Sequence, residues 1–381
     1  MIGFALSDEQ LALRELARDF AQREIRPLAW QLDRDAEFPR ALVDAAWKLG
    51  LMNIHAPTEL GGAGIGYLDG AILEEELSWG CSGVNASIGC NNLALAPLLL
   101  AGSEELKRRY VPMLIEQPLL ASFALTEPDA GSDVASLKTR AVRRGSSYVI
   151  SGSKCFITNG SHASFYIVFA KTDPEAGHRG ISCFVVPREA GVIVDGHEDK
   201  MGQRCSDTAT ITFPDLEIPA DHLIGEENGG FAIAMATLDR TRAGVAGMAT
   251  GIARAALEFS ISYARERVQF GVPIAEHQAV QFMIADMASD VEASRLLTWQ
   301  AAVAVDEGRR STLLSSHAKR FAADAAMRAT TDAVQVYGGY GFIKDYPVEK
   351  LMRDAKIMQL FEGTAQIQRI VIARELLRER G

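Results

Sequence analysis

The period of apolar positions changes twice along the chain. From Ser7 to about Leu120 apolar residues recur every three or four positions. Leu11, Leu13, Leu16, Phe20 and Ile25 form one stripe among Arg and Glu, the pattern of amphipathic helices. Ser7 and Gln10 are spaced as a capping box for the first of them. From about Ala121 to Gly225 the helical period is lost. Tyr148–Ser151, Phe165–Phe169, Ile181–Val186 and Thr208–Phe213 are short, β-branched or aromatic, and separated by Gly, Asn, Asp and Pro, which predicts strands. No helix-length stretch alternates with them, which argues against a parallel dinucleotide-binding sheet. From about Phe231 long helices return over 231–269, 276–307, 312–337 and 347–360 with 364–380. Breaks fall at Gly271-Val272-Pro273, Gly308 and Gly338-Gly339-Tyr340-Gly341, and Pro347 is placed to open a helix. The pattern predicts an α+β multidomain chain: an N-terminal α-helical domain over 1–120, a central β-barrel or sandwich over 121–228, and a C-terminal four-helix bundle over 229–381.

Length and composition narrow the function. The 381 residues are 48% apolar and 23% charged, as in ordinary globular proteins, and suggest more than one core. A net charge of −10 argues against nucleic acid or an anionic membrane as a main partner and leaves room for a local phosphate pocket. Cys81, Cys90, Cys155, Cys183 and Cys205 are scattered without a Cys-x-x-Cys pair, suiting free thiols in a reducing cytoplasm. The longest apolar run, Leu93 to Ala101, is too short to span a bilayer and contains Pro97. The amino terminus from Met1 to Gln10 lacks the basic flank of a signal peptide and the character of a transit sequence. A cytoplasmic protein, or a trimmed mature form, is expected.

The candidate chemistry centres on Phe361-Glu362-Gly363-Thr364, just before apolar residues at helical spacing (Ile367, Ile370, Val371, Leu377). Gly363 permits close approach of a ligand to the backbone, and Phe361 can shield the acid and raise its pKa toward that of a general base. The alternative is a carboxylate stabilising the dipole of the following helix. The Thr126–Asp133 loop is rich in hydroxyls and backbone amides and suits either a heteroaromatic or phosphate ligand or a simple turn. Phe156-Ile157-Thr158-Asn159-Gly160 reads as a strand end with a type I′ hairpin turn. Phe156 and Thr158 share one strand face and can cover a flat cofactor, or pack in a core. Gly61–Gly66 fits neither nucleotide fingerprint and reads as a turn between helices. Arg242, Arg267, Arg309 and Arg310 are candidate phosphate cations. Metal-ligand spacing and nucleophile elbows are absent from the sequence.

Taken together, Leu125–Pro128 with Ala130–Asp133, Met201–Thr208, Gln335–Gly339, Tyr346–Lys356 and Glu362–Thr364 resemble the acyl-CoA dehydrogenase family, nearest to its medium-chain and short-chain branch. The resemblance covers nearly the whole chain. It implies bound FAD, abstraction of the acyl α-proton by Glu362, β-hydride transfer to flavin N5, a trans-2-enoyl-CoA product and electron-transferring flavoprotein as acceptor. Some relatives carry the base near Leu238–Arg242, where this chain offers Asp239 but no glutamate. The resemblance assigns Phe123, Leu125, Thr126, Gly131, Ser132, Phe156 and Thr158 to the flavin. Arg267, Phe270, Gln278, Gln335, Gly338 and Gly339 are assigned to FAD in a neighbouring subunit, with Thr364 and Gln366 near its diphosphate. Ser132, Asp239, Thr241, Arg242, Arg310 and Gly363 are assigned to acyl-CoA. A cofactor shared between subunits implies at least a dimer, and the family favours a homotetramer.

Two positions depart from the family pattern. Phe156 stands where tryptophan is usual. Gly89 replaces a larger polar residue at the base of the acyl pocket, so a deeper or wider pocket and a longer or branched acyl group are expected unless neighbouring side chains fill the space. The competing readings are an acyl-CoA oxidase, which returns electrons to oxygen, and a flavin-free acyl-CoA-binding or assembly protein.

Overall fold

The structure is a computed structural model and describes residues 5–378; Met1–Phe4 of the amino-terminal stretch lie outside the described residues. Helix α1 (Asp8–Phe20) starts at Ser7. The Ser7 hydroxyl accepts from the Gln10 backbone N–H at 3.2 Å, and the Gln10 side chain accepts from the Ser7 N–H at 3.0 Å. The spaced capping box is therefore formed. A π-helical turn (Ala21–Ile25), α2 (Arg26–Asp35), α3 (Arg40–Lys48), α4 (Tyr67–Ala101) and α5 (Glu104–Glu116) follow. The glycine run before α4 makes a turn, with Gly61 and Gly64 at φ of +85° and +62°.

Helix α4 corrects one expectation. The apolar run Leu93–Ala101 is the end of a 35-residue helix that by length and composition alone is able to cross a membrane. In the fold, 61% of its most apolar stretch is buried, and it packs along α6 (Gly230–Glu266). The helix is also broken at Cys81, whose φ and ψ of −166° and 117° are extended.

The middle of the chain forms one eight-stranded sheet. Its strands are β1 (Leu120–Ala124), β2 (Arg140–Arg144), β3 (Ser147–Thr158), β4 (Ala163–Lys171), β5 (Ile181–Pro187), β6 (Ile193–His197), β7 (Thr208–Pro219) and β8 (Leu223–Ile224). They are ordered β6-β7-β3-β2-β4-β5-β8, with β1 parallel to β4. The predicted strands lie within β3, β4, β5 and β7. The turn after β3 exists, with Asn159 at φ +57° and the Gly160 N–H 3.1 Å from the Ile157 carbonyl. It is not a hairpin, because β2 and β7 already flank β3 and β2 lies between β3 and β4.

The C-terminal helices are α6, α7 (Gln278–Asp306), α8 (Thr312–Tyr337), α9 (Val348–Met358) and α10 (Ala365–Leu377). Helix α9 opens directly after Pro347. The fourth arm of the bundle is thus two helices with a turn between them, and Glu362 lies in that turn. Small residues let α4 and α6 touch backbone to backbone: a Cβ added at Gly251 would meet the Glu75 carbonyl oxygen at 2.2 Å. Beside this crossing Arg254 pairs with Glu75 at 2.7 Å and Glu76 at 2.6 Å, and Arg295 reaches Glu75 at 2.8 Å. The overall order is helical, sheet, helical, as the pattern predicts.

Candidate active site

A cavity of about 380 Å³ lies where α4, α6, β1, the end of β3, the 126–135 loop and the turn between α9 and α10 meet. Its walls are mainly apolar, from Ala71, Leu93, Leu125, Leu238, Val245 and Met248.

Glu362 projects into this cavity. It takes φ +51°, a left-handed conformation costly for a residue with a Cβ. Surrounding bonds hold it there. The Glu362 carboxylate accepts from the Thr241 hydroxyl at 2.8 Å. Its carbonyl accepts from Arg242 Nε at 3.2 Å, and Lys319 Nζ donates to the Gly363 carbonyl at 2.8 Å. Helix α10 is capped instead by Thr364, whose hydroxyl accepts from the Ile367 N–H at 3.1 Å. The N-cap hydrogen bond of α10 thus belongs to Thr364, while the Glu362 carboxylate is engaged by Thr241. Burial raises the Glu362 pKa, while the Thr241 bond and the Arg242 and Lys319 charges oppose the rise. Such an environment suits a general base.

The structure gathers Phe123, Leu125, Thr126, Gly131, Ser132, Phe156 and Thr158 around the same cavity, together with Thr241, Arg242 and Gly363. The Phe156 ring is not core packing: a register shift in β3 and φ +58° turn it out, leaving it 62% exposed. The 126–135 loop is tied down by Glu127, which accepts from Lys154 Nζ at 2.7 Å and from the Thr139 N–H at 3.0 Å.

Other predicted residues lie elsewhere. Asp239 does not line the cavity; its carboxylate accepts from Arg242 at 2.9 Å and from the Thr312 hydroxyl at 2.5 Å. Arg310 pairs with Glu375 at 2.7 Å beside a separate depression, and Arg309 pairs with Glu307 at 2.5 Å. Thr364 and Gln366 stand outside the lining. Arg267, Phe270, Gln278, Gln335, Gly338 and Gly339 lie near the ends of α6 and α8 and the start of α7. Arg267 stacks over Tyr340 at 5.3 Å, and Phe270 is 95% exposed.

Three functional groups escaped the sequence reading. Glu74 and Asn85 both line the cavity. Glu74 occupies the space expected to open at Gly89: a Cβ added there would meet Glu74 Oε1 at 2.9 Å. The deeper pocket is therefore not formed. Burial and the charge of Glu362 push the Glu74 carboxyl up to about 8, against the Asn85 hydrogen bond. Lys319, on α8, is lowered to about 7, chiefly by burial. The available signals were a lone lysine on an alanine-rich helix face and a glutamate run inside an apolar helix.

Because the Thr241 bond favours the charged form of Glu362, Thr241→Val should move the acid limb of a pH–rate profile to higher pH. At a pH on that limb the rate should fall several-fold while the high-pH plateau stays near that of the parent.

Three acyl-CoA dehydrogenase domains match the chain: the N-terminal domain over residues 7–118, the middle domain over 122–216 and the C-terminal domain over 228–377. A cyclohex-1-ene-1-carbonyl-CoA dehydrogenase of Geobacter metallireducens is 47% identical over 98% of this chain and 99% of its own length. The solved butyryl-CoA dehydrogenase of Megasphaera elsdenii is 40% identical with a TM-score of 0.97, covering 99% of this chain and 100% of that one. A chain in a structure described as the electron transferring flavoprotein of Acidaminococcus fermentans is 42% identical with a TM-score of 0.97 over the same shares. With all three domains matched in order over nearly its whole length, this chain belongs to the acyl-CoA dehydrogenase family.

Proposed function

We propose that the protein converts a saturated acyl-CoA thioester to the trans-2-enoyl-CoA, with Glu362 removing the α-proton. The observation that carries this reading is a carboxylate facing an apolar cavity, oriented by Thr241 and with its pKa raised. An α-proton is too weakly acidic for a carboxylate unless the developing enolate oxygen is stabilised. The Glu362 backbone N–H has no acceptor among the described residues and serves as a donor to that oxygen. The apolar walls exclude water and so strengthen both interactions.

FAD is the cofactor of the family, and when bound it supplies the acceptor for the β-hydride. The residues fit it: the exposed Phe156 ring offers a face for stacking, Thr126, Ser132 and Thr158 offer hydroxyls beside it, and a Cβ added at Gly131 would meet nothing within 4 Å. Phe123 and Leu125 supply apolar contact on the same side. Arg267, Phe270, Gln278, Gln335, Gly338 and Gly339 are assigned to the cofactor of a neighbouring subunit in a homotetramer, and Thr364 and Gln366 to its diphosphate. The nearly full exposure of Phe270 supports a subunit contact there. Ser132, Thr241, Arg242 and Gly363 hold the thioester and pantetheine, with Asp239 orienting Arg242 and Arg310 reaching the nucleotide end. Electron-transferring flavoprotein is the proposed acceptor, supported by the 42% identical chain described under that name.

Anaerobic mixing of the FAD-loaded protein with straight, branched and cyclohexane-carbonyl thioesters tests the reading. Rapid loss of flavin absorbance, followed by faster reoxidation with electron-transferring flavoprotein than with air, is expected. No bleaching by any thioester would overturn the dehydrogenation, and fast reoxidation by air would replace it with an oxidase.

A further inference from the structure

Glu74 and Asn85 stand 11 residues apart, about 16 Å along a straight helix, yet Asn85 Nδ2 donates to Glu74 Oε2 at 2.5 Å. The extended backbone at Cys81 folds α4 enough to bring them together. The Glu74 side chain then runs through a slot with glycines on both helices. Its Cβ lies 3.3 Å from a Cβ built on Gly247, its Cγ 3.7 Å from one built on Gly244, and its Oε1 2.9 Å from one built on Gly89. Larger residues at Gly89 and Gly247 would crowd it. Oε2 is committed to Asn85, whereas Oε1 has no hydrogen-bond partner among the described residues. Asn85 is buried, and its Oδ1 also lacks a donor. The pair is short of a donor at the wall of a mainly apolar chamber that also holds Glu362.

Resting on the reading that this chamber takes the acyl group of a CoA thioester, we propose that Glu74 determines specificity by hydrogen-bonding a hydroxyl carried on the acyl chain. The preferred substrate class is then a short hydroxyacyl thioester. A plain alkyl chain pressed against Glu74 strips water from Oε1 and returns no bond. A carboxylate-bearing chain brings a further negative charge to a chamber that already holds Glu362. A hydroxyl both donates and accepts, so it satisfies Glu74 in either protonation state; with the carboxyl pushed up to about 8 by burial, the acid form can also donate. Sites built to bond a polar substrate group reject the analogue lacking it.

The test uses FAD-loaded protein and CoA thioethers, which bind but cannot be oxidised at an activated α-carbon: butyl, pentyl and hexyl chains against their 4-, 5- and 6-hydroxy counterparts, with dissociation constants from calorimetry. At one chain length the hydroxylated ligand should bind about 10- to 100-fold more tightly than its plain partner. Glu74→Met, which fills the slot without the carboxyl, should erase that ratio, and Glu74→Gln should keep most of it. Gly89→Ala, whose methyl displaces Oε1, should reduce the ratio by an independent route and serves if Glu74→Met does not fold. Equal binding of both series to the parent, or a ratio unchanged in Glu74→Met or Gly89→Ala, overturns the role of Glu74 while leaving the acyl-CoA reading intact. Failure of both series to bind overturns that reading and this assignment together.

Discussion

Glu362→Gln should remain folded and FAD-loaded yet lose the bleaching reaction by about 100- to 10,000-fold, the usual cost of removing a positioned general base. The amide has nearly the shape of the acid and can still accept from Thr241, and the cap on α10 belongs to Thr364. The loss should therefore appear in the reductive step and not in cofactor content. Stopped-flow absorbance under anaerobic conditions measures it, with the flavin-to-protein ratio as control. A loss below tenfold would move the base elsewhere. Asp239 is a poor substitute because Arg242 and Thr312 already engage its carboxylate outside the cavity lining. The pH dependence has a defined sign. A base must be ionised, and burial raises the Glu362 pKa, so the parent's rate should climb as pH rises through that raised value. Lys319 opposes the rise only while charged. With its own pKa lowered to about 7, that opposition fades as pH increases past neutrality and the acid limb should broaden.

Helices of the bundle were legible because each carries an apolar face over many turns. Strands β3, β4, β5 and β7 were legible because they are buried and β-branched. Strand β2 reads Arg-Ala-Val-Arg-Arg and β8 has two residues, so neither carries an apolar period of usable length. Glu362 was visible because its neighbours, an aromatic and a glycine, are local. Glu74 was not. Of the three consecutive acids, Glu75 and Glu76 turn to Arg254, and only the packing of α4 on α6 decides that Glu74 faces the cavity. The break at Cys81 had a weak marker in sequence, Gly80 and the Ser82-Gly83 pair beside it, which permits a kink without fixing its place or direction. Reading Gly89 as an empty space failed for the same reason: the side chain that fills it starts 15 residues earlier and arrives by a fold of the helix.

Asp354→Ala should destabilise the protein by about 3–5 kcal/mol, the usual consequence of leaving a buried charge without its partner. Asp354 is fully buried and accepts from Lys350 Nζ at 2.6 Å, the Ser82 hydroxyl at 3.2 Å and the Gln203 N–H at 2.5 Å. One carboxylate thereby joins α9, the segment just past the break in α4, and the Met201–Thr208 loop. Next to it Arg353 binds Asp33 on α2 at 2.7 Å and the Met201 carbonyl at 3.0 Å. A Cβ on Gly202 would lie 2.3 Å from the Arg353 carbonyl oxygen, so the loop lies directly on α9. Two of the motifs that carry the family resemblance are thus the two halves of a weld between helices and sheet. Lys350 supplies the internal control. Its pKa is held well above the ordinary value, Asp354 outweighing the effect of burial, so removing Asp354 leaves a buried amine that has lost the main support of its charge. Adding Lys350→Met to Asp354→Ala should recover part of the loss, because no buried amine then remains. Urea midpoints of the parent, both single variants and the double variant measure the cycle. A change under about 1 kcal/mol in Asp354→Ala, or no recovery in the double variant, would mean that water or relaxation replaces the carboxylate. Because Ser82 adjoins the break that brings Glu74 to Asn85, the same variant should also blunt the cavity's discrimination among acyl groups, coupling a stability weld to the shape of the site.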